Sequence, residues 1–314
     1  MTISSAEVHD LACLPSRNTL KRELRYNHRM DDQQTYLLNG LIARQFELGR
    51  IARFRKVVRG RQAETFELLT AEHHEYLVSI YPPSFEIERL NFVATAVNVL
   101  DKERFSVVPM LATRSAGFVA EGPQGAGMLV SLAPAGSPLA MEQYTELDVS
   151  QVGLRLAWMH RLFAEHLTTP PPLPPLAERI GHTPRIEHLL DMLKVPPPPG
   201  WAHGDIQPEA LLIDGDHQLR SIVDFAALHF GSPLEDLVDA FLSVAGAQPA
   251  RGKALLESYD SLVPIRKTPW TPVVAAWCAQ RLIDTTERRR PLPRGFGQLL
   301  AAPENLATAM ASCL

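Results

Sequence analysis

Two aspartates between Trp201 and Asp239 stand where acid–base and metal chemistry would need them. Asp205 precedes a short apolar run at 210–213, Asp214-Gly215-Asp216 is a turn signal, and a second apolar run at 219–225 carries Asp224. Apolar runs joined by an Asp-Gly turn read as a β-hairpin, and a hairpin returns its two flanks to the same end. The spacing therefore predicts the two carboxylates side by side at one end of a small sheet. Like charges at close range repel unless a cation or a basic group lies between them. Magnesium suits such a pair, because it takes one or two protein carboxylates and fills its shell with water and phosphate oxygens. Taken singly, each aspartate has an equally ordinary role capping a turn, and His203 one as a packing residue; their joint spacing favours chemistry.

The elements that must position this pair follow from periodicity. Residues 1–30 lack a clear period and read as an N-terminal extension, partly disordered. A helix is expected from Asp31-Asp32, with Tyr36, Leu37, Ile42 and Phe46 as its apolar stripe and Gly49 as its stop. Residues 54–58, 65–69 and 76–81 are short β-favouring runs separated by turns, as a small antiparallel sheet requires. A helix over 85–100 and strands over 117–121 and 127–132 come next. The Pro- and Gly-punctuated run 133–138 is the clearest boundary, dividing a region 31–133 from a mainly helical one, 134–314. Beyond it, Ser150 is expected to cap a helix bearing Val152, Leu156, Met159 and Phe163. Proline clusters at 170–175 and 196–199 bracket a short helix near 186–193 and read as stiff connectors. From Leu234 the chain is mostly helical, with Trp270 and Trp277 in the core or a cleft wall. The expectation is an α+β protein.

Composition bounds the function. A chain of 314 residues with 46% hydrophobic and 21% charged residues can bury two cores, and its formal charge of -4 argues against nucleic acid as the main partner. No apolar run approaches the roughly 20 residues of a spanning helix. Cys13, Cys278 and Cys313 are odd in number and far apart, which points to a reducing, cytoplasmic setting and gives no metal-ligand spacing.

The order His203-Gly204-Asp205, Ile222-Val223-Asp224-Phe225, then Gly231 with Asp236-Leu237 resembles the motif series of the aminoglycoside phosphotransferase and type II homoserine kinase family. Val152-Gly153-Leu154 with 156–160, and the segment 253–265, resemble two of its helices, so the likeness runs from about Arg53 to the C-terminus. The resemblance implies a two-lobed protein-kinase-like fold, with a small antiparallel sheet over a helical lobe, and use of ATP and magnesium. It implies Asp205 as the catalytic carboxylate, Asp224 as the metal ligand, and His203 and Asp236 as braces of the catalytic loop. It also sets the adenine ring at the hinge near 133–138, with Ser131 and Leu132 as nucleotide contacts.

Several positions depart from the family pattern. Ala210 stands where the family places an Asn that also binds metal, and a methyl group cannot coordinate. Glu209 or Gln207 could supply the missing oxygen, or Glu209 could simply face water. Ser79 occupies the strand position where a Lys or Arg commonly reaches the phosphates, and the partner glutamate is not evident on the following helix. The turn between the first two strands offers Arg59, Gly60 and Arg61: its backbone amides and arginines suit phosphate, although arginines in a hairpin turn are commonly solvated. Asp284, Glu287, Glu257, Arg281, Arg288 and Arg289 read as solvated helix faces. Three functions remain open. The first is an ATP- and magnesium-dependent kinase acting on a hydroxyl of a small molecule such as an amino alcohol, an amino acid like homoserine, or an aminoglycoside-like compound. The second is a pseudokinase that binds a nucleotide or protein without turnover, and the third a bacterial-type protein-serine kinase. Oligomeric state is not legible.

Overall fold

Alternation builds the first sheet. In β2 (Glu64–Thr70) and β3 (Glu75–Tyr81), Phe66 and Leu68 lie buried beside Tyr76 and Val78, the period-two pattern of strands with one face inward. The computed structural model describes residues 32–57, 63–168, 187–287 and 296–314. With β1 (Ile51–Val57), β4 (Ala120–Glu121) and β5 (Gly127–Leu132), these strands form an antiparallel sheet ordered β1-β2-β3-β5-β4. Helix α1 (Asp32–Gln45) covers one face, packing Leu38 and Ile42, with Phe46 just beyond its end, on Phe66, Leu68 and Val78. Helix α2 (Ile87–Lys102) covers the other, bringing Leu90 and Ala94 against Tyr81 and Leu129. Each such fully buried apolar side chain contributes about 1.5–3 kcal/mol.

Some boundaries differ from the sequence reading. Helix α1 stops at Gln45, and Gly49, at φ 78°, instead turns the chain into β1. Residue 117 is taken by a turn, its carbonyl accepting the Thr113 N–H at 2.7 Å, so the fourth strand shrinks to two residues. Helix α3 (Glu146–His166) starts four residues before Ser150, because Thr145 and Asp148 form a reciprocal cap: Thr145 Oγ1 accepts the Asp148 N–H at 3.2 Å, and the Asp148 carboxylate accepts the Thr145 N–H at 2.8 Å.

The remainder is mainly helical, in one large core. Helix α3 lies so close to α6 (Pro249–Asp260) that a Cβ on Gly153 would stand 2.2 Å from the Leu255 carbonyl oxygen. The other described helices are α4 (Glu187–Met192), α5 (Glu235–Ser243), α7 (Trp270–Glu287), α8 (Phe296–Ala301) and α9 (Pro303–Ala311). Two small sheets complete the described strands: β7 (Gly200–Ala202) paired with β10 (His229–Gly231), and β6 (Ser137–Pro138), β8 (Leu211–Ile213) and β9 (Leu219–Ile222) in the order β6-β8-β9. Trp270, Trp277, Cys278 and Cys313 are buried, both cysteines free; burial pushes the Cys278 thiol up to about 12. Residues 1–30, Cys13 and the cluster 170–175 lie outside the described residues. No described helix is long and apolar enough to cross a membrane.

Candidate active site

The loop leaving β7 begins His203-Gly204-Asp205, and its polar backbone is held by one helix. The His203 and Gly204 N–H groups donate to the two Asp236 carboxylate oxygens at 2.7 and 2.8 Å. The Ile206 N–H donates to Asp239 at 3.3 Å, and the Ser243 hydroxyl donates to the Ile206 carbonyl at 2.8 Å. Asp236, Asp239 and Ser243 are spaced i, i+3 and i+7 on α5, so one helical face carries all three braces. Gly204 has φ +81°, and a Cβ there would lie 2.5 Å from the Ala227 carbonyl oxygen, so this turn demands glycine.

His203 ties this loop to the second carboxylate. Its Nδ1 accepts the Asp205 N–H at 3.2 Å, so the ring proton sits on Nε2 and is donated to the Val223 carbonyl at 3.0 Å. The ring is also edge-on to Phe225 at 4.5 Å. One buried imidazole thus joins the backbones next to Asp205 and Asp224. Asp224 ends the hairpin sooner than the apolar run implies: β9 stops at Ile222, and Asp224 is left-handed at φ 65°, ψ 55°, directing the chain into the 3-10 turn Phe225–Ala227. Aspartate tolerates that conformation better than most residues. The turn after Asp224 lies against the first sheet, where Ala226 packs with Tyr81 and Leu129, and the Tyr81 hydroxyl has its pKa raised by burial and then by the Asp224 charge. Asp205 is 8% exposed.

The supporting shell exceeds what motif reading found. Asp236 also accepts from His160 Nε2 at 2.9 Å, and His160 Nδ1 meets the Tyr259 hydroxyl at 2.9 Å. Burial alone would raise the Asp236 pKa, but the hydrogen bond from His160, the electrostatic influence of the His160 and His203 rings and the Gly204 amide hold it below the ordinary value. Asp239 accepts from Trp277 Nε1 at 2.6 Å and from the Arg281 guanidinium. Arg281 and Asp284 are 5% and 1% exposed, which corrects their assignment to a solvated face: α7 turns that side toward α5 and the loop. Glu257 is exposed and pairs with Lys253 at 3.8 Å. The available signal for Asp239 was a further carboxylate three residues after Asp236, across the apolar Leu237-Val238.

The remaining candidates are dispersed. Glu209 is exposed while its neighbours Pro208 and Ala210 are buried, since the 3-10 turn Pro208–Ala210 sends successive side chains in different directions. Its charge acts on the Tyr144 hydroxyl, raising that pKa after the larger effect of burial. Gln207 is half-buried. Among the described residues no three His, Cys, Asp or Glu side chains are grouped to hold a metal by themselves, so Glu209 does not complete a cluster with Asp205 and Asp224. The two aspartates still offer hard carboxylate oxygens, the donor type magnesium takes when phosphates complete its shell. Ser79 is opposite Thr65 and Leu129 in the first sheet. Ser131 and the exposed Leu132 end β5, where the chain leaves that sheet. Arg59, Gly60 and Arg61 lie outside the described residues.

Comparison with solved structures gives the fold. Amicoumacin kinase hAmiN, in complex with AMP-PNP, Ca2+ and Ami, matches at TM-score 0.64 and 12% identity, covering 95% of this chain and 96% of that one. A microcompartment-associated aminopropanol kinase matches at 0.60 and 14%, covering 88% and 95%. Macrolide 2'-phosphotransferase MphH from Brachybacterium faecium matches at 0.59 and 16%, covering 89% and 97%. The fold is accordingly the two-lobed, protein-kinase-like α+β fold. No curated protein sequence matches the chain significantly. The model of the phosphotransferase enzyme family APH matches residues 53–271, most of the chain, and the chain belongs to that family.

Proposed function

We propose that this protein is an ATP- and magnesium-dependent kinase that phosphorylates a hydroxyl of a small molecule. The observation that carries the proposal is the His203 bridge, which holds the backbones beside Asp205 and Asp224 together through hydrogen bonds at 3.2 and 3.0 Å. Asp205 orients the substrate hydroxyl and accepts its proton as oxygen bonds to the γ-phosphorus and the bond to the β-phosphate oxygen breaks. Asp224 would hold magnesium, with Gln207 beside it. When bound, the ion neutralises phosphate charge as it develops. Ser131 and Leu132 contact the nucleobase where the chain leaves the first sheet. An amino alcohol, amino acid or aminoglycoside-like substrate accords with relatives whose names specify aminopropanol and amicoumacin.

A pseudokinase is the second reading, favoured by the buried Ala210 methyl and the exposed Glu209. Two measurements separate them. Thermal stabilisation by ATP is expected to require magnesium and to disappear in Asp224→Ala. An ADP-release assay across amino alcohols, amino acids and aminosugars is expected to find a substrate whose turnover falls by roughly 10²–10⁴ in Asp205→Asn. Metal-independent stabilisation rejects the metal site, and nucleotide binding without turnover across the panel selects the pseudokinase.

A further inference from the structure

Arg89, in the first turn of α2, reaches across to the segment that follows Asp224. Its Nη2 donates to the Ala226 carbonyl at 3.1 Å and to the Leu228 carbonyl at 3.3 Å. The Phe85 ring lies 5.3 Å from the guanidinium carbon, stacking against it and limiting its motion. The neighbouring surface is apolar: Ala226, fully buried, packs with Tyr81, Leu90, Ala94 and Leu129. The helix over the first sheet therefore grips the 3-10 turn Phe225–Ala227 with two charge-assisted hydrogen bonds and a greasy patch.

The segment needs such a grip. Asp224 is held at φ 65°, a conformation that costs a non-glycine residue and persists only when its surroundings over-determine it. His203 fixes the chain on one side, at the Val223 carbonyl, and Arg89 fixes it on the other, at the Ala226 and Leu228 carbonyls. Asp224 is suspended between the two anchors. Ser79 brings no positive charge to the strand position where a lysine would join sheet to helix, so here the helix is coupled directly to the carboxylate-bearing turn.

We infer that Arg89 is a positioning residue that sets the conformation of the segment 224–228 and, through it, the metal affinity of Asp224. The metal half of this statement rests on the function proposed above; the conformational half does not. Arg89→Met keeps apolar bulk and removes both donors, while Arg89→Lys retains a charge able to reach one carbonyl. In ligand-free protein, hydrogen exchange of amides 224–228 is expected to accelerate about tenfold in Arg89→Met, corresponding to roughly 1.4 kcal/mol, and less in Arg89→Lys. Magnesium titrations of ATP-dependent thermal stabilisation are expected to show the half-point rising about tenfold in Arg89→Met, with ATP affinity at saturating magnesium unchanged and partial rescue by Lys. A merely structural role would lower the melting temperature without moving the magnesium half-point of the folded protein. A folded Arg89→Met with unaltered exchange and an unaltered half-point overturns the inference. If that variant does not fold, Phe85→Leu must give a smaller shift of the same sign, and no shift has the same force against it. Absence of any nucleotide response in the wild type removes the kinase reading alone, and the exchange data still decide the clamp.

Discussion

Replacing Asp236 with alanine removes one carboxylate and strands three donors. The His203 and Gly204 amides at 2.7 and 2.8 Å and His160 Nε2 at 2.9 Å all point at this fully buried side chain. A buried donor left unmet costs about 1–3 kcal/mol, so the upper sum is roughly 9 kcal/mol. Water entering the vacated space recovers part of it, and a loss of about 4 kcal/mol is expected. At about 2.1 cal/mol/K of unfolding entropy per residue, a chain of 314 residues loses about 6 °C in Tm for that change. The assay is thermal unfolding of wild type and Asp236→Ala across pH. Because folding depresses the Asp236 pKa below 3.8, its contribution is fully present above that value and is lost as pH falls through the folded value. The gap between the two proteins should be wide at neutral pH and close in acid. A neutral-pH difference below about 1 kcal/mol, or a gap that persists unchanged into acid, would refute the reasoning that Asp236 ties the loop to α3 through these three bonds.

Gly204→Ala should combine overpacking against the Ala227 carbonyl, 2.5 Å from the new Cβ, with left-handed strain, costing about 2–4 kcal/mol in denaturant unfolding. A variant as stable as wild type would show that the loop can move aside. His229 presents Nδ1 to the Ala227 carbonyl at 3.1 Å and Nε2 to Glu235 at 3.3 Å. Burial alone would lower its pKa, but the hydrogen bond and charge of Glu235, with the charge of Asp284, outweigh that and raise it above 6.5. Its stabilisation is therefore complete below pH 6.5 and lost as pH rises through the folded value; His229→Leu should flatten the decline of Tm in that window, and identical slopes would remove His229 as its source.

Much of this architecture was legible in the chain itself. Period-two alternation marks the strands around Phe66, Leu68, Tyr76 and Val78, since a half-buried strand must alternate. The Asp-Gly turn and its flanking apolar runs mark the hairpin, and the motif order around His203, Asp205 and Asp224 indicates the family. These signals are local: each depends on side-chain type and near-neighbour spacing, which a linear sequence records directly.

What the tertiary structure alone decided lies between segments far apart in the chain. Arg281 and Asp284 look like an ordinary charged helix face, yet packing of α7 against α5 and the loop after β7 buries them, and Asp239 becomes an anchor only because Trp277 and Arg281 arrive from some forty positions away. Arg89 gained a role because its helix crosses to carbonyls 137 and 139 residues later, while Glu209, a carboxylate one position from the missing Asn, faced outward in a tight turn. Residue types specify which groups can bond, but burial and direction are fixed only when distant elements close around them, because the cost of an unpaired buried charge is set by the whole surrounding shell.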